Sequence, residues 1–250
     1  MPELISRARS HRRALVSGRV LVFAAIVVSA LTLRLAVTAF TPLAAQISAE
    51  IGFSHAVVGV FGMLPPAMFA LFGLITPAIA TRIGLERTAL LAMLMATAGM
   101  AVRAMVSDVW SLLALSGLAL AGMGIGNVVI PPLVKRYFGD RLAVMSSIYI
   151  TMVQLGTVVP ALVAVPVADE SGWRISIGMW ALLGVAAALP WLFMLRAVRD
   201  ERRVDAPVDT GTHVSPWRSP IGWGMAGMFG MTSLITYSMF TWIPEILVDA

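Results

Sequence analysis

The chain has 250 residues, 59% of them hydrophobic and only 12% charged, with a mean hydropathy of +0.88. A soluble domain carries about 25% charge, so a soluble enzyme with a polar surface is excluded and an all-α, polytopic membrane helical bundle is expected. The absence of cysteine removes disulfides, Cys-metal sites and thiol catalysis.

The net charge of +5 is carried largely by arginines at the ends of apolar runs. Arg7, Arg9, Arg12, Arg13 and Arg19 form a basic head before the first run. That run is long and lacks a small-residue cleavage site, so residues 1–19 read as a cytoplasmic tail before a retained first span.

Span 1 covers roughly Val20–Ala45. At ~1.5 Å per residue it is long enough for a ~30 Å hydrocarbon layer. Arg34 stands near its middle. Arginine at the centre of a spanning helix costs about 2.5–3.5 kcal/mol on insertion scales, and its guanidinium does not deprotonate. Arg34 is therefore expected to face a protein interior or a wet cavity, with an anion as its natural partner. Thr38, one turn on, shares its face and offers a hydroxyl donor.

Span 2 is expected over Val57–Ala80, with Pro65, Pro66 and Pro77 inside it, and span 3 over Ala89–Val106. Arg103, near the outer end of span 3, reads as a side chain that snorkels to the interface. Span 4 covers Val109–Val134. Gly122 and Gly126 share one face of it, with Gly117, Ala121 and Gly124 as a second small-residue stripe, the spacing at which membrane helices approach closely. A phosphate-cradling loop does not suit these glycines, because no strand precedes them and they lie within hydrocarbon. Asn127, the only asparagine in the chain, either bonds a neighbouring helix or lines a cavity opposite Arg34. Pro131 and Pro132 are expected to loosen the cytoplasmic end of this span.

Span 5 runs over Ala143–Val167, with Gln154 as a candidate cavity amide or interhelical hydrogen-bonding group, and span 6 over Ile175–Leu195. Trp173 and Arg174 read as outer-surface anchors that open span 6. Arg196 to Pro220 is the one long polar stretch between spans, and reads as a linker. Span 7 follows over Ile221–Leu247, where Tyr237 is a candidate cavity wall and Trp242 an interfacial anchor or a second wall. Loops rich in Lys and Arg alternate with loops nearly free of them. The positive-inside rule thus places the N-terminus, the 2–3 and 4–5 loops and the 196–220 linker in the cytoplasm. The same pattern assigns the arginine excess to topology and lipid headgroups and leaves no role for nucleic acid.

The plan is therefore a tail over 1–19, a six-helix transmembrane half over 20–195, a cytoplasmic linker over 196–220 and a seventh helix over 221–250. Six spans followed by a long linker resemble the layout of one half of a major facilitator transporter, a half built of three-plus-three inverted repeats. On this reading the chain holds one half and the start of a second, whose remainder is missing. The end of span 2, GLITPAIATRIGLERTALL, resembles the loop signature that follows span 2 in that superfamily. Arg82, Gly84 and Arg87 fill the turn, with Glu86 beside them, while Pro77 and Thr81 replace the usual glycine and acidic residue. The resemblance implies gating by cytoplasmic charge pairs; an ordinary positive-inside loop is the plainer reading.

More narrowly, TLRLAVTAFTPL, GIGNVVIPPLVKRYF and YSMFTWIPEIL resemble the cyanate/nitroimidazole permease family of the major facilitator superfamily. Leu33, Arg34 and Thr38 match in span 1, where Thr32 and Leu35 replace an Asn and a Pro. Gly126, Asn127, Pro131, Lys135 and Arg136 match in span 4, and Tyr237, Trp242 and Pro244 in span 7. The resemblance implies a plasma-membrane carrier of a small anionic or polar solute, cyanate among the candidates, working by alternating access without a cofactor. Arg34, Thr38, Asn127, Gln154 and Tyr237 would form its substrate site. A drug exporter of the same superfamily and a non-transporting half are the alternatives. No span holds a deeply embedded Asp, Glu or His, which leaves no nucleophile–base pair or metal cluster for an intramembrane enzyme. Any coupling group then lies in the other half, or the carrier is a facilitator or exchanger.

Overall fold

The computed structural model describes residues 19–200 and short helical pieces within 220–239. Every element among the described residues is helical. Span 1 is not one helix. Helix α1, over residues 19–32, stops at a two-residue turn, Leu33 and Arg34. The chain then resumes as α2 (Leu35–Thr38), a 3-10 turn at Thr41–Leu43 and α3 (Ala44–Ile51). Beyond it come α4 (His55–Ile83), α5 (Leu85–Arg103), α6 (Val109–Phe138), α7 (Leu142–Ser171), α8 (Trp173–Gly178) and α9 (Ala181–Asp200).

Five stretches are apolar and long enough to cross a membrane, one of them the 63-residue stretch Val109–Ser171. As one rod it would measure about 95 Å, three bilayer cores in length. The 3-10 turn Gly139–Arg141 divides it, with non-helical backbone at Phe138 and Arg141, so it makes two spans, α6 and α7. Helices α8 and α9 together form span 6. Gly84 (φ +88°) joins α4 to α5, and Gly172 (φ +85°) joins α7 to α8. A side chain there would meet the left-handed backbone penalty. Pro131 and Pro132 do not loosen α6 as expected; the helix continues through them to Phe138.

Helix α5 is the central post. It packs along α6 and α9 and touches α4 and α8. Glycine sets the closeness of these contacts. A Cβ on Gly122 would meet the Ala92 carbonyl and the Ala96 nitrogen at 2.5 Å, and one on Gly99 the Ala119 nitrogen at 2.5 Å. Gly122 and Gly126 of span 4 thus serve packing, Gly126 against Leu33 and Met93. Gly184 brings α9 onto Thr97, and Gly156 brings α7 onto the Leu31 carbonyl, beside the break in span 1. Two buried polar groups of this core pair across or along its helices. The indole N–H of Trp191 donates to Ser29 Oγ at 2.9 Å, and Thr32 Oγ1 donates to the Ser29 carbonyl at 2.6 Å.

Polar clusters sit at both ends of α5. At its start, Glu86 pairs with Arg136 at 3.0 Å and accepts from the Tyr137 hydroxyl at 2.9 Å. Arg19 donates to Asp140 at 2.5 Å nearby in sequence from Tyr137. Past its end, Arg174 pairs with Glu50, lies 4.3 Å over the Trp173 ring and reaches Ser107 Oγ at 3.5 Å. The 19 residues of α5 span about 28 Å, close to the ~30 Å hydrocarbon core. Between the clusters the outer faces of α4, α7 and α9 expose large apolar side chains, among them Leu74, Leu162 and Leu182. A surface of that kind suits lipid or a partnering apolar face, not water.

Candidate functional site

Arg34 occupies the break in span 1. Its backbone (φ −124°, ψ −11°) is non-helical and starts the short helix α2. The Arg34 carbonyl accepts the backbone N–H groups of Val37 and Thr38, each at 3.1 Å. Irregular backbone at membrane depth is stable only inside protein or beside a wet cavity. The guanidinium is half-buried and lies 5.5 Å over the Phe69 ring of α4. Tyr149 of α7 is near enough to feel its charge. A guanidinium over an aromatic face, with a phenol nearby, is chemistry of the kind that recognises planar anions.

Thr38 serves the backbone. Its hydroxyl lies 3.0 Å from the Arg34 carbonyl and 3.3 Å from the Gly156 carbonyl. One proton serves both oxygens, so Thr38 fastens the break to α7. Asn127 donates to the Met123 carbonyl at 3.0 Å, one turn back on its own helix, and not to a neighbouring helix. It lies one turn beyond Gly124, whose open face takes the Phe69 ring. Phe69 thereby connects the Arg34 region to the Asn127 stripe of α6. Gln154 is exposed on α7. Tyr237, Trp242 and Pro244 lie outside the described residues.

At the other candidate group, Gly84 forms the α4–α5 turn with Arg82 and Arg87 exposed on either side. Glu86 is the partnered member, held by Arg136 and Tyr137 of α6. Thr81, where an acid is usual, donates to the Ala78 carbonyl of its own helix at 3.0 Å.

Two expectations are overturned. Arg103 does not snorkel. It is 1% exposed and its Nη1 donates to the Ala36 carbonyl at 3.0 Å. That carbonyl is available because the Phe40 N–H turns to Val37 instead. Ala36 and Phe40 of span 1 lie against the end of α5, so Arg103 has protein where an interface was expected. Trp173 is not an outward anchor either. It is 2% exposed and donates its indole N–H to Glu50 at 2.6 Å. Phe69 and Tyr149 went unnoticed in the sequence, since an aromatic within an apolar run carries no local mark of the cation above it.

Among the described residues no cluster of His, Asp and Glu suits a metal. A helical bundle with five stretches apolar and long enough to cross a membrane has the make-up of a multi-pass membrane protein. Comparison with known proteins gives the family: residues 22–249 match the Major Facilitator Superfamily, and the chain belongs to it. It is 30% identical over 226 residues to the uncharacterized transporter YycB of Bacillus subtilis (strain 168), covering 89% of this chain and 54% of that protein. It is 30% identical over 236 residues to the 2-nitroimidazole transporter of Escherichia coli (strain K12), covering 93% and 58%. To the cyanate transport protein CynX of the same organism it is 24% identical over 228 residues, covering 90% and 58%. The chain thus spans a little over half the length of the curated relatives it matches, and those relatives are transport proteins rather than enzymes.

Proposed function

We propose that this chain supplies one half of a secondary transporter for a small planar anionic or nitro-bearing solute, with Arg34 as its anchor. The carrying observation is the guanidinium at the break of span 1, half-buried and set over Phe69. A cation there costs insertion energy in an empty bilayer and little beside a charge-bearing solute. The relatives described as transporting 2-nitroimidazole and cyanate handle solutes of the kind that a guanidinium fork and an aromatic face recognise. Asn127 and Gln154 extend the polar lining, and Tyr237 is a further wall. Alternating access follows from rocking this half against a second one. The basic end of the bundle, with Arg82, Gly84, Glu86 and Arg87, faces the cytoplasm of the plasma membrane, and its Glu86–Arg136 pair acts as a gate contact.

The test is equilibrium binding of labelled cyanate and of 2-nitroimidazole to the purified chain in detergent. Wild-type protein binds at least one, Arg34→Ala weakens it at least about tenfold, and Arg34→Lys weakens it less. Equal affinity in wild type and Arg34→Ala, or no binding of either probe, overturns the assignment.

A further inference from the structure

A second cation bonds span 1 two residues past its break, and the proposed solute site makes no use of it. Arg103 closes α5 and is buried, yet only one of its nitrogens is occupied, by the Ala36 carbonyl. Among the described residues its Nε and Nη2 have no hydrogen-bond partner, and neither has the buried hydroxyl of Ser116 on α6. Both side chains line one cavity, with Phe40, Phe61, Leu64 and Leu120 as apolar walls. Arg34 is not among its lining residues.

A buried guanidinium held by one carbonyl and one ring face is costly, because no opposite charge offsets its desolvation. Its Nε–H and Nη2–H groups and the Ser116 O–H are donors. An acceptor that carries negative charge answers the charge as well as a hydrogen bond, whereas water answers only the hydrogen bond. Among the described residues no carboxylate pairs with Arg103. The cavity has about 50 Å³, room for a few water-sized bodies at about 10–15 Å³ each. A monatomic anion fits space of that size. Phe40 takes one face of the guanidinium, 5.9 Å from its ring centre.

We propose that Arg103 and Ser116 form a buried site for a halide-sized monovalent anion, separate from the Arg34 site and independent of what that site carries. Because Arg103 also holds the Ala36 carbonyl, the bound anion fixes the half of span 1 that follows its break.

The experiment is the unfolding midpoint of the purified full chain in detergent, followed by tryptophan fluorescence. Sodium bromide replaces sodium gluconate at constant ionic strength. The midpoint rises with bromide and saturates. Ser116→Ala, which keeps the charge and nearly the shape, shifts half-saturation upward about tenfold, the loss of one hydrogen bond to a charged group. Arg103→Met abolishes the response, and where that variant does not fold, Ser116→Ala alone decides. Arg34→Gln, which removes the solute anchor, leaves the bromide response intact. A wild-type midpoint identical in bromide and gluconate, or one curve shared by wild type and Ser116→Ala, overturns the site.

Discussion

The α5–α6 contact makes the sharpest demand on the chain, and Gly122→Ala tests it. The new methyl would stand 2.5 Å from both the Ala92 carbonyl and the Ala96 nitrogen. Ordinary van der Waals contact begins near 3.4 Å, so the shortfall is about 0.9 Å. Both obstacles are backbone atoms of α5 and no rotamer relieves them. The helices must part, and a radial gap of 0.5–1 Å forfeits a quarter to a half of each dispersion contact along the seam. Overpacking of this kind costs about 1–3 kcal/mol. Gly73→Ala on α4 is the control, since its Cβ meets nothing within 4 Å, and an alanine in a helix interior gains about 0.5–1 kcal/mol over glycine. Unfolding midpoints of the two variants in detergent should therefore move in opposite directions. A Gly122→Ala protein at least as stable as Gly73→Ala would refute the packing argument.

Removing the indole donor by Trp191→Phe leaves the buried Ser29 hydroxyl without its 2.9 Å partner and should cost about 1 kcal/mol, a typical interhelical hydrogen bond in a membrane protein; Ser29→Ala in the same background should cost little more. Glu86→Gln removes the ion pair with Arg136 but keeps an acceptor for Tyr137, so the unfolding midpoint in detergent should report a loss of less than about 1 kcal/mol. Asp108 caps α6 by accepting from the Ser111 N–H at 2.8 Å, and those Ser111 bonds hold its carboxyl below the usual carboxylate range. A carboxylate with a depressed folded pKa adds stability at pH values above its unfolded pKa of about 3.9. That contribution disappears as pH falls through the folded value, so an acid titration of the unfolding midpoint should be shallower below about pH 4 in Asp108→Asn than in wild type.

Much of the architecture is legible in residue order. Apolar runs bounded by arginines place the helices, because lipid demands about 20 apolar residues per crossing. The small-residue stripe of α6 reads correctly as packing, because a four-residue spacing puts Gly122 and Gly126 on one face. The break at Leu33–Arg34 is not legible. No Gly or Pro stands there, and the turn is held from outside by the Thr38 hydroxyl, the Gly156 contact with Leu31 and the Arg103 bond to Ala36. Arg103 itself was misplaced because a cation at a helix end looks the same whether lipid or protein surrounds it. Trp173 was misplaced for the same reason: its burial depends on Glu50, more than a hundred positions away. The two prolines of α6 show the reverse, a local signal overridden by the helices packed around it.

The central claim is that the guanidinium of Arg34 borders a hollow open to solute. The chain has no cysteine, so Phe69→Cys, placed under that guanidinium, introduces the one thiol. Its reaction with a negatively charged, membrane-impermeant thiol reagent should proceed in membrane vesicles, and added 2-nitroimidazole or cyanate should slow it. A thiol at that position that stays unreactive from both sides of the membrane, or reacts at a rate neither solute changes, would contradict the claim.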